Sequence, residues 1–243
     1  MDTSLCNAAV RACESSHERV ESVGADRGEV GAGMVVLATG MRPHTGLAAH
    51  AGVTRVEAGT IAVDGHLRTD VSGVFVAGDC AERRYRLLGR PAWVPLGTTA
   101  NKQGRTAGRN AAGGDEASSR ILGTAITRVF ELEVAPTGFT EGEARAEGLN
   151  RAAAKLDSRD HAGYMQDAEP LNVKLVAERE TGRLLGAQAG RRGQAHRRGG
   201  NRPNARLTVE DLTRLDLEYA PPFNGVWDPL QVAAITFLRQ LVA

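Results

Sequence analysis

Apolar residues in this chain fall into short runs between turn residues, with no long repeat. Val74-Phe75-Val76-Ala77 is β-branched and aromatic, the pattern of a strand buried on both faces. Met34-Val35-Val36-Leu37 predicts a second buried strand. It runs into Ala38-Thr39-Gly40-Met41-Arg42-Pro43, where Gly40 permits a turn and Pro43 stops any helix. The first run ends on Gly78-Asp79. Thr45 to Gly52 reads as a short helix closed by Gly52. Ile61-Ala62-Val63 and Leu67-Arg68-Thr69 read as short strands around an Asp64-Gly65 turn. Leu96 to Ala112 predicts a helix with Lys102, Arg105 and Arg109 on its exposed side and Gly113-Gly114 at its end.

The pattern changes after Ile121. Ala152 to Lys155, Leu171 to Glu178 and Leu184 to Ala189 read as strands. The last two alternate around Glu180-Thr181-Gly182, which predicts an antiparallel hairpin. Thr140-x-x-Glu143 and Thr208-x-x-Asp211 are capping patterns for short helices. Asp228-Pro229 starts a last helix, with Val232, Ile235, Phe237, Leu238 and Leu241 on one face. Cys6 to Cys13 is compatible with a helix, and Gly28, Gly31 and Gly33 read as a turn before a strand. Gly190 to Arg206 is an Arg/Gly-rich segment with no acidic residue and no periodicity, expected to be irregular and exposed. A local reading-frame slip or extreme divergence is one reading of it; an RNA-binding tract is the rival, weakened by the absence of interleaved aromatics and repeats.

A chain of 243 residues accommodates two ordinary domains. The Gly113 to Ser119 stretch reads as a linker, which divides the chain into 1–115 and 118–243. A formal charge of +1 makes no case for nucleic acid or for a membrane surface. No apolar run has transmembrane length, and the start has no secretory apolar region. Cys6, Cys13 and Cys80 are odd in number and form no C-x-x-C pair, which fits a reducing cytoplasm. The histidines show no ligand spacing, so no metal site is expected.

Two features carry candidate chemistry. Asp79 follows a strand, at the end where ligands bind in open α/β sheets. Leu96-Gly97-Thr98-Thr99 opens a helix, whose N-terminus offers unpaired N–H groups and partial positive charge. Together they can hold opposite ends of one polar cofactor.

The Thr69-to-Asp79 segment, the Leu96-to-Thr99 helix start and the Ala-Thr-Gly-x-Arg-Pro turn resemble the FAD-dependent pyridine nucleotide-disulfide oxidoreductases, in the branch of NADH oxidases and coenzyme A-disulfide reductases. The resemblance implies an α/β fold: a partial FAD/NAD(P)-binding domain followed by an α+β dimerisation domain with an antiparallel sheet. It implies FAD and NAD(P)H as cofactors and a disulfide, peroxide or oxygen as acceptor. Asp79 would hold the ribityl chain, and Leu96, Gly97, Thr98 and Thr99 would face the pyrimidine edge of the flavin, with Thr39, Gly40 and Gly78 completing the cofactor-binding set. Tyr164, in His161-Ala162-Gly163-Tyr164-Met165, and Tyr219, in Tyr219-Ala220-Pro221-Pro222-Phe223, match residues that reach across a homodimer toward the flavin and redox cysteine. Two tyrosines that only pack at an interface remain the other reading. Val173, Leu175, Leu185, Val232, Ile235 and Leu238 are expected in the dimerisation layer.

There are departures. Trp227 stands where a phosphate-binding Lys is expected, and Gln166-Asp167 replaces Pro-Gly, both against a coenzyme A substrate. The G-x-G-x-x-G fingerprints and the redox cysteine of the family are not found here, and Cys80 does not match that nucleophile. The resemblance therefore implies a C-terminal portion of such an oxidoreductase. The alternative is a non-catalytic dimerisation module.

Overall fold

A computed structural model describes residues 5–56, 59–192 and 207–242 of the chain. These form two compact units, Met1–Arg42 and Pro43–Ala243.

The first unit is an antiparallel sheet of β1 (Val10–Ser16), β2 (Arg19–Ala25) and β3 (Gly28–Gly31), in that order. His17 and Glu18 join β1 to β2 with φ of 46° and 63°, the doubly left-handed geometry that suits a two-residue hairpin. Cys13 pairs with Val23 inside this sheet, so the stretch before it is not helical. Gly28 and Gly31 are strand residues, not a turn, because β2 pairs with them through Ala25 and Ser22. Met34 to Leu37 also differs from expectation: it is outside any strand, with Met34 81% and Val36 82% exposed. An apolar run becomes a buried strand only where neighbours pair with it, and no described residue does so here.

The second unit begins with α1 (Gly46–His50), followed by Gly52 at φ 82°. The chain then runs as single bridges, Arg55 with Ile61, Ile61 with Ala81 and Arg68 with Phe75, in place of the expected strands. Val74 to Ala77 is half-buried, not buried on both faces, because Phe75 has only its Arg68 bridge among the described residues. A two-residue ladder, β4 (Arg83–Arg84) with β5 (Pro91–Ala92), precedes α2 (Gly97–Ala111). Gly113, at φ 94°, follows the α2 C-cap, Ala112.

The remainder is a five-stranded antiparallel sheet with helices on its faces. Its strands are β6 (Thr127–Val129), β7 (Leu132–Gly138), β8 (Arg151–Arg159), β9 (Pro170–Glu178) and β10 (Leu184–Arg192), in the order β6-β7-β10-β9-β8. α3 (Glu141–Ala146) lies between β7 and β8 in the chain; α4 (Val209–Thr213) and α5 (Pro229–Val242) follow β10. Both predicted capping boxes are formed, Thr140 with Glu143 and Thr208 with Asp211. Asp228 Oδ1 accepts from Leu230 N at 2.7 Å, an N-cap on α5.

Strand alternation divides the core. Val173, Leu175, Ala177 and Leu184 face Leu212, Ala233, Ala234 and Phe237 of α4 and α5. Val176 and Leu185 face a second cluster with Tyr85, Phe139 and Ala144. Each fully buried large apolar side chain contributes roughly 1.5–3 kcal/mol. Val173, Leu175 and Leu185 thus belong to the interior of one chain, not to an interface layer, because the sheet is covered by its own helices. Gly186 allows β10 to approach the end of β7: a Cβ there would come 2.0 Å from Phe139 O.

The Arg/Gly-rich segment is not irregular from its start. Residues 190–192 continue β10, where Gly190 pairs with Val134 on one side and Asn172 on the other. Backbone ladders satisfy that stretch whatever the side-chain charge. Residues 193–206 of the expected irregular tract lie outside the described residues. Among the described residues, no helix is long and apolar enough to cross a membrane.

Candidate functional site

The Gly78-Asp79 turn is built against α2. Gly78 sits at φ 90°, in the left-handed region that favours glycine. Its N–H donates to Gln103 Oε1 at 2.7 Å. A Cβ on Gly78 would stand 3.9 Å from Ala100 Cβ, so the turn packs on the first turns of the helix. Gln103 is 1% exposed, and its Nε2 has no hydrogen-bond partner among the described residues. Ala81 N returns to Gly78 O at 3.0 Å, and Trp93 Nε1 donates to Asp79 O at 2.7 Å. The backbone of the turn is therefore held from several sides. The Asp79 side chain is exposed and has no hydrogen bond or ion pair among the described residues.

The α2 start is equally open. Leu96 is its extended N-cap, no side chain caps it, and no acidic residue stands in its first turn. Thr99 N and Ala100 N each return to Leu96 O at 2.9 Å. The N–H groups of Gly97 and Thr98 precede the first such bond and face away from the helix ladder. One rigid element thus presents a helix N-terminus and, through Gln103, a turn carrying an unpaired carboxylate. The polar stripe Gln103, Thr106 and Asn110 is the buried side of α2, opposite Lys102, Arg105 and Arg109. Asn110 anchors the far end, donating to His66 O at 2.8 Å and Glu116 O at 2.9 Å.

Thr39 and Gly40 lie in the first unit, exposed, with Gly40 at φ 112°. Cys80 Sγ donates weakly to Ala77 O at 3.6 Å. Among the described residues, no group of three or more His, Cys, Asp or Glu could hold a metal.

The two sequence-selected tyrosines come together. Ala162 N reaches Pro221 O at 3.4 Å, which joins the turn carrying Tyr164 to the segment carrying Tyr219. Both side chains are exposed. Partial desolvation, then the charge and hydrogen bond of Tyr219, hold the Tyr164 hydroxyl above the usual phenol range. Phe223, Val226 and Trp227 add an exposed apolar surface in the same stretch of chain. Tyr85 is different: it stacks on Phe139 at 5.1 Å, donates to Leu122 O at 3.0 Å, and is pushed up to about 12 by burial and then by Glu143.

Known proteins match both parts of the chain. Residues 3–104 match the family described as pyridine nucleotide-disulphide oxidoreductase, and residues 124–228 match its dimerisation domain. The chain belongs to this family. It is 40% identical over 219 residues to the NAD(P)H coenzyme A polysulfide/persulfide reductase of Pyrococcus horikoshii, covering 89% of this chain and 49% of that protein. It is 29% identical over 235 residues to an NADH oxidase of Methanocaldococcus jannaschii, covering 92% of this chain and 50% of the other. A solved NAD-dependent persulfide reductase from A. fulgidus matches with TM-score 0.89 and 33% identity, over 96% of this chain and 44% of that chain. The chain spans about half the length of the curated relatives it matches. The mixed α/β architecture with an antiparallel sheet agrees with these neighbours.

Proposed function

We propose that this chain supplies the flavin-edge and dimerisation part of an FAD-dependent NAD(P)H oxidoreductase that reduces a disulfide, persulfide, peroxide or oxygen. The observation that carries the reading is the Gly78–Gln103 bond, which makes the Asp79 carboxylate and the bare α2 N-terminus parts of one body. These residues fit a flavin. The Asp79 carboxylate can accept from hydroxyl groups of a ribityl chain, and the helix end offers N–H donors to a polar ring edge. When bound, FAD would take a hydride from NAD(P)H and pass electrons on to the acceptor. The helix N-terminus of α2, with no acidic residue in its first turn, would favour negative charge developing on a ring edge placed there. Gly78, Leu96, Gly97, Thr98 and Thr99 are the residues of the second unit proposed to complete the cofactor-binding set.

The acceptor class that relatives favour is sulfur. Relatives named for sulfur or persulfide reduction are 39–40% identical, against 29% for the M. jannaschii NADH oxidase. Tyr164 and Tyr219 are proposed to act in a homodimer, as a pair of linked hydroxyls that offers a donor to an anionic sulfur or oxygen of a small-molecule acceptor. The cysteine usage supports a reducing cytoplasm as its place of work.

A direct test joins this chain to the N-terminal half of the P. horikoshii relative and follows NAD(P)H consumption with persulfide, disulfide, peroxide or oxygen. Flavin retained by the fusion and turnover with one acceptor are expected. A fusion that folds but leaves FAD free in solution contradicts the proposal.

A further inference from the structure

Residues 160–169 form a loop closed at its base and bracketed above it. Asp160 N donates to Glu169 O at 3.0 Å, and Glu169 N donates back to Asp160 Oδ1 at 2.9 Å. The His161 ring then lies between two carboxylates. Its Nδ1 is 2.8 Å from Asp160 Oδ1, and its Nε2 is 3.1 Å from Asp167 Oδ1. The His161 side chain is 8% exposed, while that of Asp167 is 80% exposed. Arg191, from the end of β10, meets the other oxygen of Asp160 at 2.8 Å. Arg159 Nη1 donates to Ala168 O at 2.5 Å, and its side-chain stem runs beside Gly163, where a Cβ would meet Cδ at 3.4 Å. The residue suspended between the two bracketed positions is Tyr164.

This is more order than an exposed loop of this length requires. An imidazole with a carboxylate at each nitrogen is a spacer of fixed length, and Arg191 fixes one end of it to the sheet. The loop is then tied to Pro221 through Ala162 N. Holding Tyr164 beside Tyr219 has a chemical consequence. A phenol that donates to a second phenol oxygen polarises that second hydroxyl and makes it a stronger donor.

We propose that Asp160, His161 and Asp167, anchored by Arg191, are positioning residues that fix Tyr164 against Tyr219, so that Tyr164 donates to the Tyr219 oxygen and the Tyr219 hydroxyl, polarised by that bond, donates to an anionic sulfur or oxygen of the acceptor. The proposal rests on the reading of the two tyrosines given under Proposed function. None of the four positioning residues touches the acceptor in this scheme; they act through Tyr164.

Phenol titration by ultraviolet difference absorbance tests it on the chain as it stands, without flavin or acceptor. The chain contains Tyr85, Tyr164 and Tyr219. A Tyr164→Phe background identifies the Tyr164 signal, and Tyr85, pushed up to about 12, reports whether its core cluster is folded. In His161→Ala and Asp167→Ala, Tyr164 is expected to return to about 10, the ordinary phenol value, while Tyr85 stays high. Asp167→Asn keeps an acceptor and is expected to retain most of the Tyr164 shift. A Tyr164 titration unchanged in Asp167→Ala, with Tyr85 still high, overturns the proposal. If His161→Ala unfolds, Tyr85 falls with the rest and the exposed Asp167 variants decide. A Tyr164 titration indifferent to the Asp167 variants overturns the positioning role alone. A bracket that holds, with Tyr164→Phe and Tyr219→Phe fully active in the fusion enzyme, overturns the catalytic reading alone.

Discussion

The buried amide of Gln103 accepts the backbone N–H of Gly78 at 2.7 Å, from a position on α2 that lies 25 residues later in the chain. That bond decides how a surface turn and a helix start come to share one frame. Gly78 adopts a conformation that exposes Asp79, and Gln103 satisfies the donor which that conformation would otherwise leave buried.

Gln103→Leu keeps the volume of the site and removes the acceptor. A buried donor left without a partner costs about 1–3 kcal/mol. The expected result is a lower urea midpoint and faster hydrogen exchange at the Gly78 amide than in the unmodified chain. Exchange at Gly78 that does not change removes Gln103 from the account.

Gly186→Ala should destabilise the sheet domain. The added methyl would meet Phe139 O at 2.0 Å, and backbone must shift to admit it. Overpacking of this kind costs typically 1–3 kcal/mol, read as a shift in the urea midpoint at unchanged slope.

Tyr85 gives a pH dependence with a definite sign. Burial, and then Glu143, raise its folded value to about 12, above the ordinary phenol value of about 10. The neutral phenol is the form that the fold favours. Its contribution is therefore complete below about pH 10 and is lost as pH rises toward 12. Tyr85→Phe keeps the stack on Phe139 and should flatten stability across that window. At neutral pH it should cost about 1 kcal/mol for the lost bond to Leu122 O. Urea unfolding repeated from neutral pH to pH 11 makes the comparison.

Assembly should depend on the exposed surface of Tyr219, Phe223, Val226 and Trp227. Aromatic anchors of interfaces contribute about 2 kcal/mol or more when truncated. Trp227→Ala is expected to weaken a homodimer by about 30-fold, measured by sedimentation at several concentrations. A chain that is monomeric at high micromolar concentration contradicts the dimer.

Local signals survived from sequence to structure. Thr140 with Glu143, Thr208 with Asp211 and the Asp228 N-cap involve residues within one helical turn, so nothing distant can overrule them. Strands β9 and β10 were legible because their alternation matches two different cores, one on each face. Readings that required distant partners fared worse. Val74 to Ala77 and Met34 to Leu37 have the composition of buried strands, but burial is a property of the neighbours. The β1–β2 hairpin was missed because His17-Glu18 carries none of the usual Asn or Gly, and the β6–β7 turn bends through Phe130 at φ 51° for the same effect.

At the candidate site, the sequence singles out Asp79 and the α2 start, but not Gln103 and Trp93, whose hydrogen bonds to the turn join residues far apart in the chain. Gln103 had left a trace: with Thr106 and Asn110 it forms a stripe opposite the cationic face, which marks a polar side of α2 turned inward. His161 was visible as part of a motif, but its role depends on β10 bringing Arg191 to Asp160.

The central claim is that Asp79 and the α2 start hold a flavin, and Trp93 is placed to report on it, since its Nε1 donates to Asp79 O at 2.7 Å. Trp227→Phe leaves Trp93 as the only tryptophan, because the chain has 2. FAD titrated into that variant should quench Trp93 emission to saturation. Adding Asp79→Ala removes a charge-assisted bond worth about 1.5–3 kcal/mol, so the half-saturation concentration should rise by about 10- to 100-fold. Trp93 emission indifferent to FAD, or a half-saturation point unmoved by Asp79→Ala, contradicts the claim.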